Sequence, residues 1–335
     1  MLARLERELP RGEVLYEPKW DGFRCLACHD GNDVALQSRH GRPFARYFPE
    51  VVDALRELPR APFLLDGELV VRRSDGVHDF EALLARIHPA ASRVARLRAE
   101  TPATLVAFDL LASDGIDRRE LPFVERRALL EALLADPPTA VRLTPITRER
   151  DDAEVWLDLP PDCGIDGVVA KAQALRYKPG ARAMVKVKRE RTADCVVAGF
   201  RWLVDRPLPS SLLLGLYDDG ELRHVGVVGS LTEPARERAL EHLRSHIVSL
   251  VGHPWEHGFL LGGNPGGRLR GSAGSWTPEM TQDWTPVAPE LVCEVRFDQV
   301  DRGRFRHPAR FVRWRPDRDP RSCTFGQLDA SRAQR

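Results

Sequence analysis

The sequence predicts an α+β protein with two domains, and three features support this prediction. The chain has 335 residues, 43% of them hydrophobic, which is enough for two separate cores. Patterns typical of helices and of strands alternate through residues 1–192. Over residues 193–335 they give way to short strands with one helix. We therefore expect the domain boundary at 192/193.

The first domain contains helical and strand patterns in turn. Residues 49–58 place Val51, Val52 and Leu55 on one helical face, and Asp79 is suited to cap a helix over 79–88. A third helix is predicted over 121–135. Apolar runs predict strands at 63–71, 104–111, 165–171 and 183–191. These elements would enclose one core.

The second domain has the pattern of a small β-barrel. Strands are predicted at 194–203, 211–218, 222–230, 290–298 and 309–317, with a helix over 233–250. Asp219-Gly220 is typical of a hairpin turn, and 252–286, rich in Gly, Pro and Trp, is predicted to be a loop. Several short strands with one helix favour an OB-fold.

Two features bear on the cellular compartment. No apolar run approaches the ~20 residues that span a membrane, and the start MLARLERELP lacks an apolar export signal, so we expect a cytoplasmic protein without membrane contact. Cys25-Leu26-Ala27-Cys28-His29 matches the haem-attachment pattern, with zinc as a second alternative. Without export or a second C-x-x-C, ordinary buried thiols are the better interpretation.

Charge is distributed unevenly along the chain. The net charge is +1, yet residues 1–175 hold 24 basic and 30 acidic side chains, whereas 176–335 hold 26 and 19. Eight arginines lie within 302–321, at positions 302, 304, 306, 310, 313, 315, 318 and 321. Such a cluster suits a nucleic-acid phosphate backbone, with a solvated basic surface as the alternative.

Lysine is rare in this chain. Only five of the 50 basic residues are lysine, namely Lys19, Lys171, Lys178, Lys186 and Lys188. Arginine stays protonated, whereas lysine can lose its proton and become a nucleophile. Lysine is also a compact charge that can contact phosphate. These five positions are therefore candidates for functions that arginine cannot perform.

Lys19 begins a specific motif, Lys19-Trp20-Asp21-Gly22-Phe23-Arg24, of the form K-x-D-G-x-R. It resembles motif I of the covalent nucleotidyltransferases. The whole chain most resembles short two-domain bacterial ATP-dependent DNA ligases of the C-type. The resemblance implies a nucleotidyltransferase (adenylation) domain followed by an OB-fold domain. It also implies that Lys19 attacks the α-phosphate of ATP.

The resemblance implies nucleotide contacts for further residues of the first domain. Glu17 would help to read adenine, and Arg24 would contact the ribose or the reacting strand end. Phe108 would stack on adenine, although its sequence context alone suggests a core position. Lys186 and Lys188 alternate on one strand, so both would face the α-phosphate.

Metal and DNA contacts follow from the same resemblance. Arg39 in Ser38-Arg39-His40-Gly41 would bind the 5′-phosphate at the nick, although this segment alone suggests a polar turn. Glu68 would lie near the ribose and a metal, although Asp66-Gly67-Glu68 alone also suggests a hairpin turn. Asp166, where the family usually has glutamate, would be a second metal ligand.

The second domain contributes one predicted nucleotide contact. Arg315 lies in Arg315-Pro316-Asp317-Arg318, which resembles the R-x-D-K/R motif of the barrel domain. It would contact the β- and γ-phosphates during AMP transfer and then move away, so that DNA can bind.

The implied enzyme uses ATP and Mg²⁺, with Mn²⁺ as an alternative, and seals nicked double-stranded DNA in repair. We expect a monomer recruited by other repair proteins. We expect Lys186, Lys188, Arg24 and Mg²⁺ to disfavour the charged form of Lys19. The alternatives are an RNA ligase, a GTP-using capping enzyme, or a non-catalytic OB-fold protein that binds nucleic acid.

Overall fold

The computed structural model divides the chain into two compact units. They are Met1–Arg189, here the N-terminal unit, and Glu190–Arg335, the C-terminal unit. The structure describes residues 1–59, 61–73, 75–87, 90–159, 163–188, 191–258, 284–301 and 303–330. The boundary predicted at 192/193 lies inside the strand Arg191–Trp202, whereas the units divide just before it.

The N-terminal unit mixes strands and helices. Its described strands are β1 (Ala3–Glu6), β2 (Val14–Trp20), β3 (Phe23–His29), β4 (Val34–Ser38), β5 (Phe63–Val71), β6 (Ala103–Ser113), β7 (Ile116–Asp117), β8 (Val141–Leu143), β9 (Ile165–Ala172) and β10 (Met184–Val187). Its described helices are α1 (Pro49–Glu57), α2 (Phe80–Ala85), α3 (Ala91–Glu100), α4 (Phe123–Leu133) and α5 (Arg150–Asp158).

These strands form two sheets among the described residues. One has the order β1-β10-β9-β2, and the other has the order β4-β3-β5-β6-β7 with β8 beside β6. Consecutive strands β2 and β3 belong to different sheets, and Gly22 lies in the turn between them. A Cβ on Gly22 would lie 2.1 Å from the Leu69 carbonyl oxygen, so only glycine permits this close approach.

The core of the second sheet forms as the sequence predicts. Helix α1 buries Val51, Val52 and Leu55 against it, which confirms the predicted helical face. Asp79 accepts a hydrogen bond from the Ala82 amide and caps α2, as expected. Helices α3 and α5 were not predicted from the sequence; α3 buries Val94 and Leu97, and α5 buries Ala153.

The C-terminal unit is a small β-barrel. Its described elements are β11 (Arg191–Trp202), β12 (Pro209–Asp218), β13 (Glu221–Val228), α6 (Glu233–Arg244), β14 (Thr285–Phe297), β15 (Val300–Asp301), β16 (Arg304–Phe305), β17 (Arg310–Trp314) and α7 (Gly326–Ala330). The main sheet has the order β13-β12-β11-β14-β17. A bridge between Val228 and Ala309 brings the edge strands β13 and β17 together, as an OB-fold requires.

Local predictions in this unit have mixed outcomes. Asp219 and Gly220 adopt positive φ angles of 48° and 83° and form the predicted hairpin turn. The predicted helix over 233–250 is wrong beyond Arg244, where α6 ends. The predicted loop 252–286 overlaps β14, which begins at Thr285, and its residues 259–283 lie outside the described residues.

The haem alternative for Cys25 and Cys28 is wrong on geometric grounds. The two cysteines are three residues apart on β3, so their side chains point to opposite faces of the strand. Cys25 is fully buried and Cys28 partly exposed. Within the part of the chain that the structure describes, no helix is long and apolar enough to cross a membrane.

Candidate active site

Lys19 lies on β2 and pairs with an acidic residue of the neighbouring strand β9. Its Nζ donates to Asp166 Oδ2 at 2.8 Å, and Lys188 Nζ lies 2.6 Å from the same oxygen. Burial disfavours the Lys19 ammonium, but Asp166, Asp21 and Glu68 together outweigh burial and raise the pKa of Lys19. The expectation that the neighbouring cationic side chains would disfavour the charged form of Lys19 is therefore wrong, because the neighbouring carboxylates together have the larger effect.

Asp166 is held ionised by these two lysines. Burial alone would raise its pKa, but the charges of Lys19 and Lys188 prevail and lower it. Lys186 lies on β10 and lines the adjacent cavity. The predicted strand 183–191 is wrong beyond Val187, where β10 ends, so Lys188 directly follows the strand and reaches Asp166 from there.

Arg24 and Glu68 lie directly opposite each other on β3 and β5. Arg24 donates to both oxygens of the fully buried Asp66, at 2.9 and 2.6 Å, and to the Met1 carbonyl at 2.6 Å. Tyr177 also donates to Asp66, at 2.7 Å. Arg24 is therefore fixed in place by Asp66, a contact that the sequence analysis did not identify.

Glu68 has an unusual protonation equilibrium. Burial raises its pKa to about 8, against the opposing charges of Lys19 and Arg24. Asp66, Gly67 and Glu68 lie within β5, so the alternative of a hairpin turn at this site is wrong. Gly67 permits close strand packing, because a Cβ there would lie 2.8 Å from the Val106 carbonyl oxygen.

Glu17 pairs with Lys171 in the interior. Lys171 Nζ lies 2.7 Å from Glu17 Oε2, donates to the Phe108 carbonyl at 3.1 Å, and lies 4.9 Å from the centre of the Phe108 ring. Burial raises the pKa of Glu17, although Lys171 opposes this shift. Lys171 is a functional residue without a role implied by the sequence resemblance, and its presence as one of only five lysines was the signal that could have found it.

These side chains surround a cavity of about 310 Å³ in the N-terminal unit. Its lining includes seven of the predicted residues, namely Glu17, Lys19, Arg24, Arg39, Glu68, Phe108 and Lys186, together with Lys171 and Arg182. Phe108 is only partly buried and faces this cavity, so its alternative assignment to the core is wrong. A cavity of this size can accept a ligand of nucleotide dimensions.

The carboxylates beside Lys19 suit a magnesium ion. Asp166 and Glu68 both act electrostatically on Lys19, and carboxylate oxygens are the donors that Mg²⁺ prefers. Mg²⁺ usually takes one or two protein carboxylates and completes its shell with water and substrate phosphates. Clusters of three or more potential metal ligands are absent from the residues that the structure describes.

Arg315 lies in the C-terminal unit and is paired with two carboxylates. Its Nη1 lies 3.0 Å from both oxygens of Asp194, and its Nε and Nη2 each lie 2.9 Å from an oxygen of Asp317. Its hydrogen bonds to Asp317 raise the pKa of Arg315 further above its usual value. The eight-arginine cluster includes Arg302, which lies outside the described residues.

Models of protein families match both units. An ATP dependent DNA ligase domain matches residues 2–188, and an ATP dependent DNA ligase C terminal region matches residues 205–318. The chain belongs to the ATP-dependent DNA ligase family. The fold class and the resemblance that the sequence predicted are thereby confirmed.

Relatives of this DNA ligase match it along nearly its whole length. DNA ligase C2 of Mycolicibacterium smegmatis is 46% identical over 334 residues, covering 98% of this chain and 94% of the relative. DNA ligase C of Mycobacterium tuberculosis is 44% identical over 336 residues, covering 98% and 93%. A solved structure from a study of Lig E DNA ligases is 18% identical, with a TM-score of 0.55, and supports the fold alone.

Proposed function

We propose that this ATP-dependent DNA ligase seals nicks in duplex DNA through a lysyl-AMP intermediate on Lys19. The observation that carries the proposal is the position of Lys19 in a cavity with Glu17, Phe108 and Lys186, beside a carboxylate pair suited to Mg²⁺. The side chains proposed as the nucleophile, the base-stacking ring, the phosphate ligand and the metal ligands thus lie in one region of the N-terminal unit.

The first step transfers AMP to the enzyme. The Lys19 amine attacks the α-phosphorus of ATP, a phosphorus–nitrogen bond forms, and the bond to pyrophosphate breaks. Lys19 must first lose the proton that Asp166 stabilises. Asp166 and Glu68 would hold Mg²⁺, which would neutralise charge on the phosphates.

Other side chains of the cavity orient the nucleotide. The Phe108 ring and the buried Glu17 carboxylate both line the cavity; Phe108 would stack on adenine, and Glu17 would accept a hydrogen bond from it. Lys186 and Lys188 would contact the α-phosphate, Arg24 the ribose or the strand end, and Arg315 the β- and γ-phosphates.

The later steps act on DNA. AMP passes from Lys19 to the 5′-phosphate at the nick, which Arg39 would bind. The neighbouring 3′-hydroxyl then attacks that phosphate, the phosphodiester bond forms and AMP leaves. We propose that the enzyme acts as a cytoplasmic monomer in DNA repair, where other repair proteins recruit it.

The decisive experiment measures covalent labelling and sealing with the same protein. Wild type mixed with α-³²P-ATP and Mg²⁺ is expected to carry acid-labile label, and Lys19→Arg none. Lys178→Arg, a change at an exposed lysine outside the cavity lining, should label like wild type. Absence of label on the wild-type chain would disprove the mechanism.

The substrates are tested in parallel reactions. We expect labelling with ATP rather than GTP, and sealing of nicked DNA in preference to nicked RNA. GTP labelling would indicate a capping-type enzyme, and preferential sealing of RNA would indicate an RNA ligase. Binding of nucleic acid without either reaction would indicate a non-catalytic protein.

A further inference from the structure

We propose that Asp194 is a positioning residue that holds the Arg315 guanidinium in the orientation required for AMP transfer. The inference rests on the proposed role of Arg315 and deepens it. Asp194 lies near the start of β11, and Arg315 directly follows β17. The two residues are 121 positions apart in sequence, so the barrel fold alone brings them together.

The hydrogen bonds of Arg315 leave part of its guanidinium available. Asp317 accepts from Nε and Nη2, both at 2.9 Å, and Asp194 accepts from Nη1 at 3.0 Å. The two N–H bonds of Nη1 diverge, so the Asp194 carboxylate accepts a hydrogen bond from only one of them. A guanidinium has five N–H donors, which leaves one donor on each Nη. These remaining donors can bind phosphate oxygens.

The backbone of Asp194 is held in place by hydrogen bonds to Gln327. The Asp194 amide donates to Gln327 Oε1, and Gln327 Nε2 donates to the Asp194 carbonyl, both at 3.0 Å. Its carboxylate also lies 3.7 Å from Arg318 Nε. The side chain of Asp194 is only 12% exposed, whereas that of Asp317 is 64% exposed. Asp194 is therefore the more rigid of the two acceptors of Arg315.

This rigidity has a consequence for catalysis. A long arginine side chain near the surface otherwise loses considerable rotamer freedom when it binds a ligand. Asp194 fixes Arg315 before the nucleotide arrives, so that less freedom is lost during AMP transfer. Sealing of DNA that already carries AMP needs no contact to the β- and γ-phosphates, so it should not depend on Asp194.

The test compares two reactions of the full chain. Asp194→Asn is expected to slow the transfer of AMP from ATP to the enzyme about tenfold, mainly in kcat. Sealing of a pre-adenylated nick without ATP should stay within about twofold of wild type. In an Arg315→Ala background, Asp194→Asn should change AMP transfer by less than about twofold, because it acts through Arg315.

Glu294→Gln is the matched control. Glu294 lies opposite Asp194 in the pairing of β11 with β14, and it accepts from Arg313 Nε at 2.7 Å. The control therefore removes one carboxylate from a similar arginine pair, and both reactions should stay within about twofold of wild type. Asp194→Glu, which keeps the charge one methylene further out, should slow AMP transfer less than Asp194→Asn does.

Two results would overturn this proposal while the proposed function remained intact. Equal loss of both reactions in Asp194→Asn would show a merely structural role. Normal AMP transfer in Asp194→Asn, with slow transfer in Arg315→Ala, would show that Arg315 needs no positioning by Asp194. Normal transfer in Arg315→Ala would overturn the proposed role of Arg315 and with it this inference, whereas no labelling of wild type would overturn the proposed function itself.

Discussion

Lys19 Nζ lies 2.8 Å from Asp166 Oδ2, and this pair keeps the proposed nucleophile protonated. Asp166→Asn should lower the pKa of Lys19, because burial then acts against the ammonium without the opposing charge. The measurement is the pH dependence of Lys19 modification by an amine-reactive reagent, read by peptide mass spectrometry.

The control for this measurement is internal. Lys178 is exposed, so its modification in the same samples reports on the reagent rather than on the site. The curve of Lys19 modification against pH should move to lower pH in Asp166→Asn, and the corresponding curve for Lys178 should not move. A Lys19 curve that coincides in the two proteins would contradict the assigned role of Asp166.

Removal of Lys171 should destabilise the N-terminal unit. Lys171→Met removes the ammonium that lies 2.7 Å from the buried Glu17 carboxylate and leaves Arg127, whose Nη1 lies 3.8 Å from Glu17 Oε1, as its remaining partner. This loss should cost about 3–5 kcal/mol of unfolding free energy. Denaturant unfolding of the N-terminal unit measures this loss. Lys178→Met, at an exposed position, should cost less than about 0.5 kcal/mol.

The double variant Glu17→Gln with Lys171→Met tests the physical reason. It removes the buried charge as well as its partner, so it should be more stable than Lys171→Met alone. A double variant that loses the sum of the two single losses would show that the residues act independently.

Gly167 should be much less replaceable than Gly180. Both have positive φ angles, of 128° and 74°, which disfavour side chains. A Cβ on Gly167 would also lie 2.2 Å from the Val187 carbonyl oxygen, between Lys186 and Lys188, whereas a Cβ on Gly180 meets nothing within 4 Å.

Gly167→Ala should therefore push β9 away from β10 and lower AMP transfer by at least about tenfold. Gly180→Ala should cost roughly 1 kcal/mol of stability and leave AMP transfer within about twofold of wild type. Equal effects of the two substitutions on AMP transfer would argue against the close packing of these strands.

His224 should make the C-terminal unit sensitive to acid. Burial, together with the charges of Arg304 and Arg201, lowers its pKa to about 3. The unfolded chain therefore binds more protons than the folded chain between about pH 6.5 and 3. Unfolding free energy should fall as the pH drops through this window, by up to about 1.4 kcal/mol per pH unit.

The comparison of His224→Asn with wild type isolates this contribution. The difference in unfolding free energy between pH 7 and pH 5 should be smaller in the variant, because Asn does not titrate. His257→Asn, at an exposed histidine, should behave like wild type. If unfolding free energy changes with pH equally in His224→Asn and in wild type, other groups cause the acid sensitivity.

Two contacts at the candidate site depend on strand pairing that the sequence does not reveal. Arg24 and Asp66 are 42 residues apart and meet through the pairing of β3 with β5. Glu17 meets Lys171 through the pairing of β2 with β9. A shift of one residue in either register would turn these side chains to the other face of the sheet.

The sequence by itself determined the motif around Lys19, the α1 helix and the Asp219-Gly220 turn. Each depends on residues that are close along the chain, so local chemistry is sufficient to define it. Only the tertiary structure decided that Asp166 holds Lys19 protonated and that Asp194 pairs with Arg315. The physical reason is that distances and burial set these ion pairs, and both follow from how distant strands pack.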